Sequence, residues 1–157
     1  MGARTFHFRL HSHPSGNEPA AASLQLERLN ESGTWEALIP SLATPGFRLY
    51  LSAMLICLHY HLVAEARERG VRLARVEGRF SASTKADWAL TELRGDFLLQ
   101  PEPDAEPMDS AEAPAGQAQG ESQLIAALQE RMLHCPVFRN LDPAIPRALH
   151  LEMAHGG

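Results

Sequence analysis

Residues 47–69 read FRLYLSAMLICLHYHLVAEARER. No Gly or Pro interrupts them, and Leu51, Met54, Leu55, Leu58 and Leu62 recur at the spacing of one helix face. The spacing predicts a helix over Phe47–Arg69. Glu65, Arg67, Glu68 and Arg69 make its last turn polar, and Gly70 is placed to cap it. The first two thirds are apolar nearly all round, which a helix tolerates only when it is covered on most sides. That requirement decides the fold class: the flanking segments must supply a sheet wrapped against this helix, or a second subunit must help to cover it.

The segments on either side read as strands. Thr5–His13 alternates, with Phe6, Phe8 and Leu10 on one face and His7, Arg9, His11 and His13 on the other, a half-buried strand with a solvated histidine face. Ser23–Leu29 alternates again beyond a Pro- and Gly-containing turn, and Thr34–Ile39 suits a short third strand. After the helix, Val71–Ser81 and Trp88–Gln100 read as a hairpin of two strands. Residues 101–120 are rich in Pro, Ala, Glu, Asp, Ser and Gly and nearly lack large apolar side chains; they read as a flexible acidic surface loop. A second helix begins at Glu121 or Ser122, runs to about His134 on Leu124, Ile125, Leu128, Met132 and Leu133, and stops at Pro136. Arg147–Met153 alternates as a last strand. The expected architecture is a single α+β domain over 1–157: N-terminal strands (1–44), a long buried central helix (45–70), strands (71–100), the acidic loop (101–120), then the second helix and last strand (121–153). The helices pack on an antiparallel sheet.

Composition bounds the function. Hydrophobic residues make up 45% of the chain, enough for a core, and 14 Lys and Arg stand against 19 Asp and Glu. A net charge of −5 without a basic run argues against nucleic acid, which needs clustered positive charge. No apolar leader opens the sequence, and the run Leu49–Ala64 is broken by Ser52, His59 and His61, so neither export nor membrane insertion is expected and the cytoplasm is the expected compartment. Phosphate loops, nucleophile elbows and paired carboxylates are missing from the sequence. The two cysteines, Cys57 and Cys135, are either two small buried hydrophobes or a redox pair. His61 follows Cys57 by one helical turn and His134 adjoins Cys135, so a Cys/His metal site is a further reading, with His61 and His134 as its candidates.

A mid-helix cysteine in Leu51-Ser52-Ala53-Met54-Leu55-Ile56-Cys57, a following strand Val71–Gly78, and a second helix ending in His134-Cys135-Pro136-Val137 resemble the OsmC/Ohr family, the osmotically inducible and organic hydroperoxide resistance proteins. The resemblance spans roughly residues 45–153. It implies an intertwined homodimer with the central helices back to back. It further implies reduction of organic hydroperoxides without a cofactor, Cys57 attacking the peroxide, Cys135 resolving, and a dithiol reopening the disulfide. Catalytic members of that family carry an arginine in a glycine-rich N-terminal loop and an acidic residue that orients it. Phe47 stands at the acidic position here and no such loop precedes it, which leaves Arg28 and Arg48 as the candidate thiolate-stabilising cations. Two alternatives stay open: a dimer of the same fold that lost the chemistry and binds an apolar molecule or a partner, and a metal-binding dimer using Cys57, His61 and Cys135.

Overall fold

In the computed structural model, residues 2–14, 23–103 and 114–155 are described. The elements run β1 (Arg4–Ser12), β2 (Gln25–Leu29), β3 (Trp35–Ala37), α1 (Gly46–Glu68), β4 (Leu73–Thr84), β5 (Leu90–Pro101), α2 (Pro114–Leu133), α3 (Pro136–Arg139) and β6 (Arg147–Met153). They form one six-stranded sheet in the order β3-β2-β1-β4-β5-β6 with the helices against it, the expected α+β class.

Strand alternation sets the two faces of the sheet. Phe8 and Leu10 of β1, Val76, Phe80 and Ala82 of β4, Leu93, Phe97 and Leu99 of β5, and Leu151 and Met153 of β6 are buried. They meet Leu51, Met54, Leu55, Leu58 and Leu62 of α1, the residues whose spacing identifies the helix. The intervening positions carry charge: Arg9 pairs with Glu27 across β1 and β2, and Arg94 with Asp96 on β5. His7 is exposed on this face, whereas His11 is half-buried between Glu27 (3.8 Å) and Glu77 (3.7 Å). Gly78 and Gly95 lie under the ring of Phe97; a Cβ at Gly78 would come to 2.9 Å from it, so the bare backbone lets the ring lie flat on the sheet.

By length and composition α1 could cross a membrane. Here it is the core helix, with Leu51, Ser52, Met54, Leu55, Leu58, His59, Leu62, Val63 and Ala66 buried. Its end is a Schellman motif: the amide of Val71 donates to Ala66 O (2.8 Å) and that of Gly70 to Arg67 O (2.9 Å), with Gly70 at φ 73°.

The structure corrects three details. The sheet is mixed rather than wholly antiparallel: β6 pairs with β5 in parallel, Phe97 opposite Leu151, because the α2–α3 segment is a crossover long enough to bring the chain back in the same direction. The second helix begins at Pro114, so residues 114–120 of the expected loop are helical, while residues 104–113 lie outside the described residues. Pro136, read as a helix stop, also opens the short α3 at a position where its missing N–H costs nothing.

Candidate functional site

The site forms where the middle of α1 meets the junction of α2 and α3. Cys57 lies three turns inside α1, half-buried. Cys135 is fully buried at the break between the two later helices, held by its amide donating to Met132 O (3.0 Å) and its carbonyl accepting from the Arg139 amide (2.7 Å). The two cysteines, 78 residues apart in sequence, are joined in a disulfide with Cα atoms 6.3 Å apart, inside the usual range for a bridge. The two cysteines are therefore neighbours in the fold rather than separate parts of the core.

His61 is the third member. One helical turn beyond Cys57, it places a ring nitrogen so that it and both sulfurs all lie within 4.8 Å of one another. The ring of Tyr60 stands edge-on to it at 5.3 Å. Its Nδ1 is buried without a hydrogen-bond partner among the described residues. Burial, and secondarily the charge of Arg131, hold His61 below the ordinary histidine pKa. His59, two residues away, faces the sheet instead. Its Nε2 shares a 2.7 Å hydrogen bond with Ser12 Oγ, and burial pushes its pKa down to about 4.

Arg131 and Glu65 complete the surroundings. Arg131 precedes Cys135 by one turn of α2, and Glu65 follows His61 by one turn of α1; they meet at 3.3 Å, with Glu68 at 3.4 Å from the same guanidinium. Arg69 holds the other oxygen of Glu65 at 2.8 Å. The sequence reading missed this ion-pair cluster. Its signal was the i±4 spacing from His61 and from Cys135, which acquires meaning only once the two helices are known to be neighbours.

The other candidates lie elsewhere. His134 is exposed, its Nδ1 at 2.9 Å from Glu130 O, and it is not in the cysteine cluster. Arg28 on β2 is ion-paired with Glu36, and Arg48 occupies the first turn of α1. Both line a cavity of about 390 Å³ with Phe6, His7 and Asn30, which contains neither cysteine nor His61. Arg48 and Cys57 are nine positions apart on the helix, about 14 Å along the axis. Phe47, at the family's acidic position, packs instead on Phe6 (5.5 Å between centroids) and Trp88 (5.4 Å).

No protein-family model and no curated protein matches the chain. Solved structures do. An OsmC-like hydroperoxide resistance protein from Jannaschia sp. is similar over 87% of this chain and 85% of its own, at 15% identity and a TM-score of 0.50. An OsmC-like protein from Mycoplasma pneumoniae is similar over 92% of this chain and 96% of its own, at 10% identity and a TM-score of 0.52. Identities this low speak to the fold, and the fold of this chain is OsmC-like.

Proposed function

We propose that the chain is a thiol-dependent peroxidase that reduces organic hydroperoxides through Cys57 and Cys135. The observation that carries this reading is the disulfide between a half-buried cysteine in the middle of α1 and a fully buried one at the α2–α3 break. The exposed member of such a pair is the one a substrate can reach, and the buried member is the one best kept for resolution. The Cys57 thiolate attacks the terminal peroxide oxygen; the O–O bond breaks, the alcohol leaves with a proton, and Cys57 becomes a sulfenic acid. The Cys135 thiol displaces water from it to form the disulfide, and a dithiol reductant returns both thiols by exchange. That reductant is most abundant in the cytoplasm, where we place the protein.

The working form in this proposal is a homodimer. Leu49 (37% exposed), Tyr50, Ala53 and Tyr60 (66% exposed) follow one another at helical spacing along α1, an apolar stripe beside Cys57 that a second copy would cover. Arg28 and Arg48, in their separate cavity, make no direct contribution to the thiolate in this reading.

Two substitutions test the proposal. Cys57→Ser is expected to lower hydroperoxide consumption by at least about 1000-fold, as loss of a covalent nucleophile does. Cys135→Ser is expected to accumulate a sulfenic acid on Cys57, trapped by a 1,3-dione reagent. Undiminished turnover in Cys57→Ser would contradict the assignment.

A further inference from the structure

We propose that the reduced protein binds one zinc ion through Cys57 Sγ, Cys135 Sγ and His61 Nδ1, with a fourth position open to water, and that oxidation to the disulfide expels it.

The donors already converge: two sulfurs and a ring nitrogen within 4.8 Å of one another. Tetrahedral zinc holds thiolates at about 2.3 Å and imidazole at about 2.0–2.1 Å, so its ligand atoms stand roughly 3.4–3.8 Å apart. Once the disulfide opens, side-chain rotation alone brings the sulfurs to that separation, because their Cα atoms are 6.3 Å apart on fixed backbone. Cys57 and His61 occupy successive turns of one helix, and Cys135 is pinned at the α2–α3 break. Two thiolates with one imidazole form a Cys2His set, and two thiolate charges neutralise the dication.

The second observation is His61 itself. Buried polar atoms are nearly always satisfied, yet its Nδ1 is buried with no partner among the described residues. A lone pair that binds a metal needs no hydrogen-bond donor, so a zinc ion would satisfy this nitrogen. Glu65, the nearest carboxylate along the helix, is held by Arg69 and Arg131 and leaves the fourth position to solvent.

Release by oxidation balances. The zinc dithiolate plus a hydroperoxide and two protons gives the disulfide, an alcohol, water and free Zn²⁺; the two electrons lost by sulfur are those that cleave the O–O bond. Capture of zinc by the reduced chain does not depend on the proposed peroxidase activity; the release step rests on it.

The test uses the full chain, reduced and kept under anaerobic conditions, titrated with zinc chloride against a chromogenic chelator and separately with cobalt(II). The expected result is one zinc per chain by native mass spectrometry and, with cobalt, a thiolate-to-metal band in the near ultraviolet with the visible bands of a tetrahedral ion. The disulfide form is expected to bind at least about 100-fold more weakly, since it lacks both thiolates, and His61→Ala at least about tenfold more weakly. His134→Ala, outside the set, is expected to match the unsubstituted protein. Failure of the reduced chain to bind zinc, or equal binding by the disulfide form or by His61→Ala, would overturn the site. Because the titration contains no hydroperoxide, the two readings fail separately. A chain that binds zinc but ignores hydroperoxide keeps the site and loses the peroxidase; one that turns over hydroperoxide without binding zinc does the reverse.

Discussion

The first turn of α1 and its middle lie on one continuous helix and are built from opposite materials. At the start, Phe47 packs with Phe6 and Trp88, and the Arg4 guanidinium stacks on the Trp88 ring at 4.1 Å. The acidic residue and its arginine partner, which the family resemblance leads one to expect there, are replaced by an aromatic cluster. Three turns on, Cys57, His61 and Cys135 gather beside Arg131, Glu65 and Glu68. The ion-pair cluster nearest the cysteine pair therefore follows Cys57 along α1 rather than preceding it. The lesson is that charged neighbours of a buried cysteine are found by asking which helices tertiary packing brings together, and not by counting along one chain segment.

If the middle of α1 is where the chain is cross-linked, redox state governs stability. A bridge closing 78 residues is expected to add about 2–4 kcal/mol to the oxidised form. Urea denaturation with and without reductant measures it, and coincident midpoints would detach the disulfide from the fold's stability.

His59 separates the sheet side of the same helical segment from the cysteine side. Unfolded His59 takes up a proton below its ordinary pKa of about 6.5, whereas the folded residue resists until about pH 4. Its contribution is thus complete above pH 6.5, declines as the pH falls through that window, and declines no further below pH 4. The loss amounts to at most about 3 kcal/mol. In His59→Gln, which can still bond Ser12, the slope of stability against pH over that window is expected to flatten, while thiol reactivity stays as it was.

Two substitutions in the first turn sharpen the contrast further. Phe47→Ala is expected to cost about 2 kcal/mol of stability, less than a fully buried Phe because this ring is half-exposed, with little change in the oxidation rate of the folded protein. Arg48→Ala is expected to alter that rate by less than about twofold, because about 14 Å of helix exceeds the screening length of salt water. Stopped-flow oxidation of each variant decides; a tenfold loss in Arg48→Ala would restore the first turn to the chemistry.

Much of this was legible in the sequence. An uninterrupted apolar period ending at Gly70 is a local signal, and α1 follows it almost to the residue. Strand alternation likewise reports which side chains face inward. It does not report which strand lies next door, so the parallel pairing of β6 was hidden, although the helix expected before it was the available clue to a crossover. The start of α2 was hidden because residues 114–120 contain no large apolar side chain to mark a face. The site divides the same way. His61 was visible as the residue one turn after Cys57. Arg131 and Glu65 were not, since their partnership exists only between helices that tertiary packing brings together.

The most direct test of the central claim follows the reduced protein after addition of a small organic hydroperoxide, by intact mass and free-thiol count. The account predicts rapid loss of both thiols with a mass decrease of two hydrogens, the signature of a sulfenic acid resolved into the Cys57–Cys135 disulfide. No reaction, or slow addition of oxygen atoms to a single cysteine, would contradict it.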